Sequence, residues 1–264
     1  MKKFLVIGNP IEHSLSPELH NYWIKSSSID AIYEKKKINE DQLEKIIAQV
    51  KDNKIKGINV TVPFKKTVIP YLDELSTEAQ STQSVNTIYK KDDKIIGHNT
   101  DIFGFETSIK KAEYYLENKE VLILGAGGVV PSIIFSLIKM KALKIKISNR
   151  TEEKAENLKK LFKDIEVIKW GEISNFDMII NATSLGLKKE DDMNLDFSSV
   201  GKNKFFYDVI YNPKETNFLK MGKKLGHKTE NGKLMFIYQA YLAFNIWHKV
   251  KPEINNDVLK LLDI

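Results

Sequence analysis

The stretch EVLILGAGGVV, residues 120–130, decides how this chain is read. Val121 to Leu124 is an unbroken apolar run, the pattern of a strand buried on both faces. Gly125-Ala126-Gly127-Gly128 interrupts it, and residues 128–141 return to helical spacing. A strand, a glycine turn and a helix in that order build a phosphate loop. The glycines admit a pyrophosphate close to the backbone, and free N–H groups at the helix start meet its charge. The match to G-x-G-x-x-G is incomplete because position 130 is Val. A plain tight turn competes with this reading, and the flanking strand and helix favour the dinucleotide site. Val121 to Ile138 carries no charge, yet the glycines and Pro131 inside it argue against a membrane helix.

Outward from this stretch the chain alternates. Strands at 120–124, 144–148, 166–168, 177–180 and 204–208, with helices at 128–141, 151–163 and 214–225, demand a parallel sheet with crossovers. The strand 144–148 ends in Asn149-Arg150-Thr151. An NAD site usually presents an acid there to the ribose hydroxyls. An amide, a guanidinium and a hydroxyl instead suit a 2′-phosphate, which Arg grips bidentately, so NADP is favoured over NAD. Thr151 also reads as a helix N-cap. Asn181-Ala182-Thr183-Ser184-Leu185-Gly186 follows a further strand and falls at the ligand crevice of such a sheet, with an ordinary polar turn as the alternative.

The residues before 102 hold a second polar set. Strands are expected at Phe4–Ile7, Ile32–Ile38 and Gly57–Val62, with a hairpin joining Val85–Tyr89 to Lys94–Ile96 around Lys91-Asp92-Asp93. Helices are expected from Pro17 to Ser26, Asp41 to Val50, Phe64 to Leu75 and Asp101 to Leu116. Ser14 and Ser16 face one way in an extended loop and suit a carboxylate, although Ser16 is also a good N-cap. Asn59 and Thr61 share one face of their strand. Lys65 falls in the first turn of the expected helix 64–75, where the positive helix end and Lys66 would disfavour its ammonium form. That makes Lys65 a candidate proton donor, against the commoner solvated surface lysine. Asn86 lies in Val85-Asn86-Thr87, and Asp101 ends Asn99-Thr100-Asp101, where it also reads as an N-cap. Gly232, Met235, Phe236 and Gln239 share a helical face, with core packing the default for Met235 and Phe236.

Composition narrows the function. The 264 residues carry a net charge of +6, and all but one of the 41 Lys+Arg residues are lysine; the exception is Arg150. A base-reading protein needs arginine forks, so a nucleic-acid partner is not expected. With 42% apolar residues the chain can build a packed core. The absence of Cys excludes a disulfide scaffold, Cys-based metal sites and a thiol nucleophile. The five His show no metal-ligand spacing, so no metal is expected. MKKFLVIGNP lacks a signal-peptide pattern, and a cytoplasmic location is the expectation.

In order along nearly the whole chain, these segments resemble the shikimate dehydrogenase family. The matching segments are IGNPIEHSLSPELHN (7–21), INVTVPFK (58–65), SVNT (84–87), GHNTD (97–101), GAGG (125–128), NRT (149–151), NATSLG (181–186), YDVIYNPKETNFL (207–219) and NGKLMFIYQ (231–239). The resemblance implies NADPH-dependent reduction of 3-dehydroshikimate to shikimate in aromatic amino-acid biosynthesis, by a monomer or homodimer. It assigns Ser14, Ser16 and Tyr211 to the ring carboxylate. Thr61, Asn86, Asp101 and Gln239 fall to ring hydroxyls with Asn59 close by, and Lys65 and Asp101 form the catalytic pair. Gly125, Ala126, Gly127, Gly128, Asn149, Arg150, Thr151, Thr183, Ser184, Gly232 and Met235 fall to NADP. The chain departs from the family at Gln83-Ser84, where Gly-Ala is usual, at Ile102, where Gly is usual, and at Leu234, where a second Gly is usual.

The expected fold is α/β in two domains. An N-terminal α/β substrate domain comprises residues 1–101 with 232–264, and a Rossmann-type NADP-binding domain comprises 102–231, with both ligands in the cleft between them. A quinate/shikimate or aminoshikimate enzyme of the same fold, or a catalytically silent NADP-binding module, are the competing functions.

Overall fold

The computed structural model describes residues 1–173, 175–188 and 190–262. It divides into two units, Met1–Gly104 together with the segment from Ile237 onward, and Phe105–Phe236. These boundaries lie inside two helices, a few residues beyond the expected 101/102 and 231/232.

The first unit opens with β1 (Lys2–Gly8), α1 (Ser16–Ser26), β2 (Ala31–Lys37), α2 (Leu43–Lys51) and β3 (Gly57–Val60). It continues through β4 (Glu74–Leu75), α3 (Thr77–Thr82), β5 (Thr87–Lys91), β6 (Lys94–His98) and the start of α4 (Asp101–Lys111). Its sheet runs β2-β1-β3-β5-β6-β4. β1 pairs in parallel with β2 and β3, whereas β3–β5 and β5–β6 are antiparallel. Asp92 and Asp93 close the β5–β6 hairpin with φ of 48° and 63°, the two left-handed residues that a tight primed turn requires. Leu43, Ile46, Ile47 and Val50 form the apolar stripe of α2 and bury it with Leu5, Ile7, Ile58 and Val60. Burying each such side chain contributes about 1.5–3 kcal/mol.

Residues 64–75 differ from expectation. They form consecutive turns, a 3-10 turn at Ile69–Tyr71 and the short β4. Pro70 has no N–H to donate to the Lys66 carbonyl, so an α-helix cannot propagate through it.

The second unit comprises β7 (Glu120–Leu124), α5 (Val130–Lys139), β8 (Lys144–Ser148), α6 (Glu152–Leu161), β9 (Ile165–Ile168), β10 (Met178–Asn181), β11 (Phe205–Asp208), α7 (Asn217–Lys224), β12 (Lys228–Glu230) and the start of α8 (Lys233–His248). All neighbouring strands are parallel, in the order β12-β11-β10-β7-β8-β9. β7 is buried on both faces, as its sequence predicts. Val121 and Ile123 pack with Ile133 and Leu137 of α5, while Leu122 and Leu124 pack with Phe206 and Phe218. The chain returns to the first unit along α8 and ends in α9 (Asn256–Leu261). Among the described residues no helix is long and apolar enough to cross a membrane.

Candidate active site

In the first unit, side chains distant in sequence converge on Asn86, which immediately precedes β5. Its Oδ1 accepts from the Thr100 backbone N–H at 2.8 Å. That bond fixes the orientation of the amide, so Nδ2 faces Thr100 Oγ1 and Asp101 Oδ1, both at 2.9 Å. Gln239 Oε1 lies 3.5 Å from the same nitrogen. Lys65 Nζ donates to the other carboxylate oxygen, Asp101 Oδ2, at 2.5 Å, with the Lys65 and Asp101 side chains 12% and 8% exposed.

Local backbone bonds hold this geometry. The Val85 N–H donates to the Lys65 carbonyl at 2.8 Å, tying the turn to the start of β5. Asn99 Oδ1 accepts from the Asp101 N–H at 3.0 Å. The start of α4 is therefore served by Asn99, and both Asp101 oxygens face side chains. With no helix at 64–75, the expected electrostatic pressure from a helix end on Lys65 does not exist. Its charge is met by Asp101.

Ser16 is the first residue of α1 rather than its cap. Leu15 holds the cap position, and Ser14 Oγ accepts from the Ser16 N–H at 3.3 Å. Thr61 follows β3 and donates its N–H to the Ile7 carbonyl at 2.9 Å. A Cβ at Gly8 would come within 2.5 Å of the Thr61 methyl, so glycine is needed there for the close approach. Asn59 is buried with its amide fully engaged, donating to the Asn86 carbonyl and Thr87 Oγ1 and accepting from Tyr33.

In the second unit the strand order reverses between β7 and β10, so the loops after these two strands flank the crevice of the sheet. Gly125 has φ +108°, and a Cβ there would lie 2.7 Å from the Ala182 carbonyl oxygen. The neighbouring loop demands this glycine. At Gly127 a Cβ would meet only Ala182 O, at 3.7 Å, and residues 127 and 128 are exposed. α5 follows with Val129 in its cap position and no side-chain cap. An open, exposed backbone running into an uncapped helix start fits a pyrophosphate.

Beyond β8, Asn149 donates to the Thr151 carbonyl at 2.7 Å. Thr151 occupies the cap position of α6, yet its hydroxyl makes no cap bond. Arg150 is exposed and forms no salt bridge with the described residues. The Thr183 hydroxyl is spent within its loop, donating to Asn181 Oδ1 at 2.7 Å and accepting from the Leu185 N–H at 3.0 Å, while Ser184 is exposed. Tyr211 stacks on Phe236 with ring centroids 4.4 Å apart. Met235 packs into the core, its default reading, and a Cβ at Gly232 would press on the Val209 carbonyl.

Asp208 has no counterpart in the sequence reading. Fully buried at the end of β11, it accepts from Thr216 Oγ1 at 2.6 Å and from Asn181 Nδ2 and the Ile210 N–H at 3.0 Å. Burial pushes its pKa up to about 6, against the pull of these bonds. The only signal was an acid closing the apolar run Phe205-Phe206-Tyr207.

A doubly wound parallel sheet with an open glycine turn at its switch point, in one chain with a shielded lysine–carboxylate pair, defines a two-domain, dinucleotide-dependent oxidoreductase. Comparisons with known proteins narrow this class. The model described as shikimate dehydrogenase substrate binding domain matches residues 6–88, and that described as shikimate / quinate 5-dehydrogenase matches residues 107–214. The chain is 61% identical to a shikimate dehydrogenase (NADP(+)) of Pelagibacter ubique, over 100% of this chain and 99% of the relative. Among solved structures, the shikimate dehydrogenase of Aquifex aeolicus superposes with a TM-score of 0.88 at 36% identity, covering 99% of this chain and 97% of that one. The Thermus thermophilus enzyme in complex with NADP(H) and shikimate gives a TM-score of 0.88 at 28% identity, covering 100% and 98%. The chain belongs to the shikimate dehydrogenase family.

Proposed function

We propose that this protein catalyses the reversible NADPH-dependent reduction of 3-dehydroshikimate to shikimate, in the pathway to chorismate and the aromatic amino acids. The observation that carries the reading is the Lys65–Asp101 pair held by Asn86. Bound NADPH supplies the hydride for the carbonyl carbon. Lys65 stabilises the negative charge that develops on the carbonyl oxygen and delivers the proton that completes the hydroxyl. A positioned proton donor of this kind is worth ~10²–10⁴ in rate. Asp101 accepts from Lys65 and Asn86 and so sets the direction of the lysine, while orienting the neighbouring ring hydroxyl.

Ser14 and Ser16 bind the ring carboxylate, Thr61, Asn86 and Gln239 bind ring hydroxyls, and Asn59 supports Asn86. The family pattern adds Tyr211 for the substrate. The backbone of Gly125-Ala126-Gly127-Gly128 cradles the pyrophosphate, and Asn149, Arg150 and Thr151 hold the 2′-phosphate. Thr183, Ser184, Gly232 and Met235 complete the cofactor set on the family pattern. The enzyme works in the cytoplasm as a monomer or homodimer on small metabolites, without nucleic acid or membrane.

Oxidation assays with NADP⁺ test the substrate. Shikimate is expected to be turned over far faster than quinate at equal concentration. Equal or faster quinate oxidation would assign the chain to the broader quinate/shikimate activity.

A further inference from the structure

Tyr33 on β2 lies outside the proposed contact set, yet its hydroxyl, which also faces the Ser16 side chain, joins a hydrogen-bond chain that runs to the reacting groups. Two backbone groups fix the sense of that chain. The Asn86 carbonyl can only accept, so the Asn59 atom 3.0 Å from it is Nδ2. Asn59 Oδ1 therefore faces Tyr33, and the phenol must donate to it, at 2.7 Å. The second Asn59 N–H goes to Thr87 Oγ1 at 3.0 Å. Thr87 Oγ1 accepts that hydrogen, and its own hydroxyl lies 3.0 Å from Asn86 Oδ1 as a donor, with Thr100 Oγ1 beside it at 3.3 Å. The Thr100 N–H also reaches Asn86 Oδ1, which leaves Asn86 Nδ2 to donate to Asp101. The amide orientations thus run from Tyr33 through Asn59 and Asn86 to Asp101, which accepts from Lys65 on its other oxygen. Tyr33 is 1% exposed and lies flat on His20, with ring centroids 4.2 Å apart and planes 2° apart, which restrains the ring that carries the hydroxyl.

We infer that Tyr33 is a positioning residue for the reaction. Its hydroxyl holds Asn59, Asn59 holds the Asn86 backbone and Thr87, and Asn86 thereby keeps one N–H on Asp101. Without the phenol hydrogen, buried Asn59 Oδ1 has lost its donor and the amide is free to turn, which releases both of its downstream bonds.

The inference rests on the proposed reaction, and its test separates the two. In Tyr33→Phe the ring remains on His20 and only the hydroxyl is lost. The expected result is a kcat for 3-dehydroshikimate reduction lowered about tenfold, the scale of one buried hydrogen bond, with KM for NADPH within twofold of wild type. In an Asn86→Ala background the same change should alter kcat less than twofold, because the residue it acts through is gone. A second readout does not depend on the substrate. The Asn86 side-chain amide signals in a ¹⁵N NMR spectrum, assigned by their loss in Asn86→Ala, should shift in Tyr33→Phe. Unshifted signals overturn the inference, and so does a tenfold kcat loss that persists without Asn86. A wild-type enzyme inactive on 3-dehydroshikimate refutes the proposed reaction, and the NMR arm still decides whether Tyr33 orders Asn86.

Discussion

Lys65 Nζ lies 2.5 Å from Asp101 Oδ2, in a site where both side chains are largely shielded from water. A charge-assisted bond of this kind fixes the direction of a flexible lysine, the property a proton donor needs. Lys65→Ala should lower kcat by ~10²–10⁴ while leaving the NADPH dissociation constant within about twofold. Turnover near the wild-type level would remove Lys65 from the chemistry, and a parallel loss of NADPH binding would make it a structural residue.

Arg150 forms no ion pair with the described residues, so its removal costs the fold little. Arg150→Ala is expected to weaken NADPH by ~1.5–3 kcal/mol, the scale of a hydrogen bond to a charged group. NADH binding should hardly change, and the melting temperature should hold. Titration calorimetry with both cofactors makes the comparison. Equal losses would show that Arg150 does not read the 2′-phosphate.

The glycine turn contains two different glycines. At Gly125 a Cβ would meet the Ala182 carbonyl at 2.7 Å on a backbone with φ +108°, so Gly125→Ala should lower stability by about 1–3 kcal/mol. At Gly127 the nearest atom is 3.7 Å away, so Gly127→Ala should leave stability nearly unchanged and weaken NADPH by blocking the approach of the pyrophosphate. Urea unfolding and cofactor titration of both variants check the contrast. The opposite pattern would place the phosphate elsewhere.

Asp208 gives stability a defined pH dependence. Its pKa rises from the ordinary 3.8 to about 6 because burial penalises the charged form. A raised carboxyl favours the folded state when protonated. That contribution is complete below about pH 4 and is lost as pH rises through about 6, an upper bound of about 3 kcal/mol. Asp208→Asn keeps the shape and removes the titration. Relative to wild type it should therefore gain stability between pH 4 and 7 in urea unfolding. Parallel curves for the two proteins would contradict the assignment.

Gln83 closes α3 in the left-handed conformation, with φ 48° and ψ 40°. Glycine, usual at this position in the family, adopts it without steric cost. Gln83→Gly should raise stability by about 0.5–1 kcal/mol with activity unchanged, read as a higher melting temperature. A lower one would mean that the Gln83–Gln80 bond outweighs the strain.

Much of the second unit is legible in the sequence because its strands are buried on both faces. A run such as Val121 to Leu124 permits few other readings, and the glycines after it mark the turn. Residues 64–75 are less legible. Phe64, Val68 and Leu72 recur every fourth residue as on a helix face, and that periodicity hides the lost donor at Pro70. The site divides in the same way. Lys65, Asn86 and Asp101 sit in recognisable short segments, although their separation in the chain gives no distance. Tyr33 and Asp208 are silent because a tyrosine in a strand reads as core and an acid after an apolar run reads as a strand end. Only the tertiary placement of their partners gives either a role.

This chain is expected to reduce 3-dehydroshikimate with NADPH. Initial rates with that substrate, measured with NADPH and with NADH at equal concentration, test it most directly. Rapid turnover with a strong preference for NADPH is the predicted result. No turnover with either cofactor, or a strong preference for NADH, would contradict it.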